Sequence, residues 1–69
     1  MIGIFKTNIN TQHEKSSVIS AIRNHFEVSA CNVDLEDCDK VLRIVDLKTS
    51  EENIIAFVQQ QGYECAILE

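Results

Sequence analysis

Two stretches with the spacing of an amphipathic helix, each opened by a hydroxyl residue with a glutamate three positions on, alternate along this chain with four short apolar or alternating runs. The order strand, helix, strand, strand, helix, strand leaves few ways to fold. The first strand is Ile2 to Thr7, apolar at Ile2, Ile4 and Phe5 and followed by the polar stretch Thr7 to Glu14. Thr11 and Glu14 make a capping box. Behind it Val18, Ile22 and Phe26 recur every four residues, with Ile19 and Ala21 beside them, while Lys15, Arg23 and Asn24 face water. This helix is expected to end between His25 and Glu27. From Val28 the period is two: Cys31, Val33 and Leu35 alternate with Asn32, Asp34 and Glu36. The polar cluster Glu36 to Lys40 separates this run from Val41 to Val45, which predicts a hairpin. Thr49 and Glu52 read as a second capping box, Ile54, Phe57 and Val58 as the stripe of the second helix, and Gly62 as its left-handed terminator. Glu64 to Leu68 is the last strand.

Two amphipathic helices can cover one face of a four-stranded antiparallel sheet. With right-handed crossovers, the natural solution is an α+β, ferredoxin-like βαββαβ sandwich with spatial strand order 4-1-3-2. The expected core is Phe5, Val18, Ile22, Phe26, Val33, Leu35, Ile44, Ile54, Phe57 and Val58. A chain of 69 residues is read as one domain, 1–69, and a domain this small buries only about 60% of its unfolded surface, too little to enclose a deep catalytic cavity. In this topology the first two strands run in the same direction. The loop Asn8 to Glu14, the hairpin Glu36 to Asp39 and the turn Gly62-Tyr63 therefore emerge at one end.

Six Lys and Arg against eleven Asp and Glu give a formal charge of −5, which repels phosphate backbones and argues against nucleic acid as a partner. Lys6 ends the first apolar run far short of a signal-peptide core, and no run approaches the ~18 apolar residues of a membrane span, so a cytoplasmic protein without membrane contact is expected. The cysteines Cys31, Cys38 and Cys65 are odd in number and widely spaced, which predicts reduced thiols. Cys31 and Cys65 fall on opposite edge strands, three spacings of ~4.8 Å apart, beyond the ~7 Å a disulfide spans. Both are assigned to packing.

The strand Ile4-Phe5-Lys6, the helix register Val18 and Ile22, the segments Val33-Asp34-Leu35 and Val41-Leu42-Arg43-Ile44, and Gly62-Tyr63 before the last strand together resemble the heavy-metal-associated domains of copper chaperones and metal-pumping ATPases. The resemblance covers essentially the whole chain and implies a ferredoxin-like fold that holds one soft metal ion through Gly-Met-x-Cys-x-x-Cys. Counted back from Val18 and Ile22, that Gly falls on Asn8, the Met on Ile9 and the two Cys on Thr11 and Glu14. Both thiolates are replaced, and no metal is expected there. Ile9 keeps the apolar anchor, and Thr11 with Glu14 can close the loop as a helix cap worth ~1 kcal/mol.

The acidic hairpin is the sharpest chemical feature. Asp34, Glu36, Asp37 and Asp39 surround Cys38, and the calcium-loop spacing with its distal Glu is absent. Asp residues in such a hairpin commonly bond their own backbone. Glu36, Asp37, Asp39 and Tyr63 are the expected interaction surface, for a protein partner with a basic surface or for homo-oligomerisation. An alternative is a remodelled site for a Zn or Cu ion made by Cys38, His13 and Asp37, with Tyr63 nearby. No Ser-His-Asp or Cys-His pairing falls within one element and no phosphate-cradling glycine loop is present, the loop after the first strand lacks the phosphate-gripping Arg of acylphosphatases, and Val41 to Asp46 lacks base-stacking aromatics. A non-enzymatic domain without a cofactor is expected, descended from metal chaperones and acting through protein contact.

Overall fold

Phe5, Val33, Leu42 and Ile44 are fully buried on one side of a sheet whose other side exposes Ile4 and Arg43, and this one-sided burial sets the layering. In the computed structural model, which describes residues 1–68, the elements are β1 (Gly3–Thr7), α1 (Gln12–His25), β2 (Ala30–Asp34), β3 (Val41–Val45), α2 (Glu51–Gln60) and β4 (Cys65–Ile67). The strands are ordered β2-β3-β1-β4, and every neighbouring pair is antiparallel. This is the expected order read from the opposite edge. Cys31 faces Ile44 and Val33 faces Leu42 across β2 and β3, while Ile4 faces Arg43 across β1 and β3. Against the apolar side α1 packs on β2 through Val18 and Ile22, and α2 on β4 through Ile54 and Val58.

The core differs from the expected set at its margins. Ile9, Leu42, Leu47 and Cys65 are buried in it, whereas Phe26, Leu35 and Phe57 are only half-buried against it. Phe57 lies where the helices approach each other: His25 stacks on it at a centroid distance of 4.8 Å, and Phe26 meets it edge-on at 5.2 Å. Leu35 sits just past the end of β2, in the turn. Leu47 enters the core because its N–H donates to the Met1 carbonyl oxygen at 2.7 Å, which folds the chain after β3 back over β1. Gly3 allows that approach; a Cβ there would lie 2.7 Å from Phe5 Cε2 and 3.0 Å from Leu47 Cδ2.

The second capping box is not formed. Helix α2 begins one residue later, with Ser50 as the cap accepting from the Asn53 N–H at 3.2 Å, while the Asn53 amide donates to the Thr49 hydroxyl at 2.8 Å. The residue three past the cap is therefore Asn53, and Glu51 and Glu52 instead place negative charge in the first turn, where the helix dipole favours it. At its far end Gly62 takes φ +99°, its N–H donates to the Gln59 carbonyl oxygen at 3.0 Å, and the Tyr63 N–H donates to that of Val58 at 3.4 Å. That pair of bonds is the Schellman motif, and it fixes where Tyr63 leaves the helix.

Candidate functional site

Since β1 and β2 each pair antiparallel with β3, they run in the same direction, and the loops that follow them meet at one end of the sheet. Hydrogen bonds tie those loops together. Thr7 donates its N–H to the Asp39 carbonyl oxygen at 2.9 Å and its hydroxyl to the Lys40 carbonyl oxygen at 2.6 Å. Asn8 Oδ1 accepts from the Glu64 N–H at 2.8 Å, joining the β1–α1 loop to the α2–β4 turn. Between these segments lies an open cleft of about 440 Å³ lined by Lys6, Thr7, Cys38, Asp39, Gln59, Tyr63, Glu64, Cys65 and Ala66.

The hairpin wall of the cleft is shaped by its own aspartates. Asp34 Oδ1 accepts from the Glu36 N–H at 3.0 Å and Asp37 Oδ1 from the Asp39 N–H at 2.9 Å. Lys40 closes the turn in the left-handed region at φ +46°; its N–H donates to the Asp37 carbonyl oxygen at 3.0 Å and its Nζ to that of Leu35 at 2.8 Å. Asp34 and Asp37 thus each spend an oxygen on the turn, and Glu36 and Asp39 stand exposed beside them. Asp37, Cys38 and Asp39 offer ligand atoms within 4.8 Å of one another.

On the other side of Thr7 the capping box of α1 is complete. The Glu14 N–H donates to Thr11 Oγ1 at 3.0 Å, while Glu14 Oε1 accepts from the N–H groups of Asn10 at 3.0 Å and Thr11 at 3.1 Å. The bond from Asn10, followed by that from Thr11, holds the Glu14 carboxyl below its usual range. Ile9 is fully buried beneath this loop, and its N–H donates to Thr7 Oγ1 at 3.2 Å.

The structure brings Cys38 together with Asp37 and Asp39, and Cys38 shares the cleft with Tyr63. His13, exposed in the first turn of α1, belongs neither to that group nor to the lining of the cleft. Cys65, assigned to packing, does pack, at 6% exposure, but it also lines the cleft. A sequence signal existed: Cys65 opens the strand directly after Gly62-Tyr63, a turn expected at this end. Burial pushes the Cys65 thiol up to about 11. Burial does the same to Cys31 on the opposite edge strand, against a smaller opposing pull from Arg23, and also brings it to about 11.

No known family's sequence profile matches the chain, and no curated protein matches it in sequence. In three dimensions it is similar to a solved structure described as CopZ metallochaperone, with a TM-score of 0.78 and 24% identity, over 96% of this chain and 100% of that one. At that identity the likeness is one of fold. Among the described residues no helix is long and apolar enough to cross a membrane.

Proposed function

We propose that this chain is a metallochaperone-like domain in which the soft-metal loop has become an oxygen-capped helix start, and that it acts in the cytoplasm by docking its acidic loop end on a basic protein surface. The observation that carries this reading is the capping box. Where the heavy-metal-associated family places two thiolates, Thr11 and Glu14 offer hard oxygens already bonded to backbone N–H groups. The loop needs no cation to hold its shape, because Asn8, Thr7 and the buried Ile9 pin it. What remains at this end is a surface of Glu36, Asp37, Asp39 and Tyr63 on a rigid frame, suited to steering a basic partner. The open cleft suits binding better than catalysis, which would need enclosure from water.

Retention of proteins from cell extract on the immobilised domain tests this, with Glu36→Gln/Asp37→Asn/Asp39→Asn as the comparison. Asn keeps the oxygen that accepts from the turn backbone, so the variant changes charge and leaves the hairpin its hydrogen bonds. The expected result is a partner held by the native domain at low salt and released by the variant or by raised ionic strength. A strictly monomeric native mass with no partner retained counts against the reading, whereas a dimer lost in the same variant would identify a second copy as the partner.

A second reading is a Zn or Cu ion held by Cys38, Asp37 and His13: Cys38 and Asp37 offer ligand atoms within 4.8 Å of each other, whereas His13 stands outside that group and must be drawn in by the ion. Equilibrium dialysis with Zn²⁺, comparing the native chain with Cys38→Ser and His13→Ala, tests it. Stoichiometric binding weakened by both substitutions supports it, and retention indifferent to either removes it.

A further inference from the structure

We propose that the open face of the sheet is a second docking surface, and that its occupant is an acidic amphipathic helix of another protein, anchored by a carboxylate on Arg43. This surface is separate from the acidic loop end, and the inference does not depend on docking there.

Arg43 is exposed on β3, one of the two central strands, and the register fixes what surrounds it. Ile4 lies directly across from it on β1 and Asn32 on β2, while Val41 and Val45 share its face along β3. All four neighbours are uncharged. The nearest charges on this face, Asp34 and Lys6, are diagonal to it, ~7–8 Å away in a regular sheet. Towards β4 the aliphatic surface continues. Ile2 and Ile4 are exposed, and the Leu68 N–H donates to the Ile4 carbonyl oxygen at 3.1 Å, which places Leu68 beside them. An arginine ringed by aliphatic side chains is the composition of an interface centre, where Arg is enriched and its ring of apolar contacts excludes water.

Charge selects the occupant. On this face the cations Arg43 and Lys6 outnumber the carboxylate Asp34, although the whole chain carries −5. Screening over ~8 Å lets these local charges decide contacts on a molecule 20 to 26 Å across. A guanidinium taken out of water needs a carboxylate, which it can bond bidentately, and the ring around it needs apolar side chains. A helix with carboxylates beside an apolar stripe offers both, and laid on the open face it adds a third layer opposite α1 and α2. Other occupants fit less well. A second copy stacked face to face would bring further arginine and lysine to the same cations, and its acidic hairpin carries Glu36, Asp37 and Asp39 without an apolar stripe. A lipid or nucleic-acid surface spreads its phosphates broadly, so it would also meet Asp34 and the acidic hairpin that follows it.

Amide NMR titration of the isotopically labelled domain tests this with a synthetic amphipathic helix, Leu along one stripe and Glu flanking it, and with a twin carrying Lys for every Glu. The acidic peptide should shift Ile4, Asn32, Arg43 and Val45 and leave Glu36 to Lys40 in place, and the basic twin should leave the open face unmoved. Arg43→Ala should weaken the acidic peptide about tenfold or more, as loss of an interface arginine does. Arg23→Ala removes the same charge from the exposed side of α1 and should leave the affinity unchanged. Open-face amides that ignore the acidic peptide, or equal affinity in Arg43→Ala, overturn the proposal. A native dimer dissolved by Arg43→Ala overturns it in favour of a second copy, and binding to phosphatidylglycerol vesicles lost in that variant overturns it in favour of a lipid surface. Should Arg43→Ala disturb the fold, the two peptides on the native chain decide, and open-face shifts of equal size from both are contrary. Failure of the loop-end reading shows elsewhere, as unchanged partner retention in Glu36→Gln/Asp37→Asn/Asp39→Asn.

Discussion

The Thr7 hydroxyl donates to the carbonyl oxygen of Lys40 at 2.6 Å, and this bond joins the end of β1 to a hairpin residue held in the left-handed region. The Thr7 hydroxyl oxygen in turn accepts from the Ile9 N–H at 3.2 Å, so one half-buried side chain sets both the hairpin and the loop beside it. Thr7→Val keeps the shape and removes both bonds. It should cost about 1–2 kcal/mol, with Thr7→Ser recovering most of it, as read from urea unfolding. A Thr7→Val protein as stable as the native chain would show that the hairpin does not depend on this link.

The α1 cap gives the chain an acid-sensitive element. Glu14 is held below its usual range by bonds from Asn10 and Thr11, and Asp46 chiefly by the Ser29 hydroxyl, with Lys48 and the amino terminus adding to it. A carboxyl whose folded value is depressed stabilises the fold above its unfolded value, and that contribution is lost as pH falls through the folded one. Stability should therefore be level near neutrality and decline below the ordinary carboxylate range, with a shallower acid decline in Glu14→Gln. Thr11→Ala should lose ~1 kcal/mol at neutral pH. Urea midpoints measured across pH check both.

Ile9 lies in a loop yet is fully buried, whereas Ile4 lies in the central strand β1 and is 37% exposed on the open face of the sheet. Ile9→Ala should cost about 2–5 kcal/mol, as a core truncation does. Ile4→Ala should stay near the ~0.5 kcal/mol of a surface change. Equal losses at the two sites would contradict the one-sided layering.

Periodicity carried most of the fold because each face of each element is read by burial alone. The spacing of Val18 and Ile22, the alternation of Cys31 and Val33 and the first capping box all lie where they were read. What escaped depends on contacts remote in sequence. Leu47 is buried because the chain turns back onto Met1, and Phe57 packs at the edge of the core, where His25 stacks on it, instead of within it. The α2 cap shifted to Ser50 because Asn53 could bond both Ser50 and Thr49, a choice that residue types alone leave open. At the candidate site the convergence of three loops follows from strand direction. That Cys65 reaches the cleft while His13 stays outside depends on how the loops pack.

The three thiols should differ in reactivity. Burial pushes Cys31 and Cys65 up to about 11, which leaves them protonated at pH 8, while Cys38 is exposed. Iodoacetamide under native conditions should label Cys38 first, and labelling of the other two should require partial unfolding. Peptide mass spectrometry resolves the order, and early labelling of Cys65 would contradict its burial.

The central claim is that the acidic loop end is the surface this chain presents to its partner. Titrating the isotopically labelled domain with the partner it retains, followed by amide NMR shifts, tests this most directly. The expected perturbations centre on Glu36 to Lys40 and Tyr63 to Cys65, extend into Asn8 to Glu14, and collapse in Glu36→Gln/Asp37→Asn/Asp39→Asn. Perturbations confined to the open sheet face around Ile2, Ile4 and Arg43, unchanged in that variant, would contradict the claim.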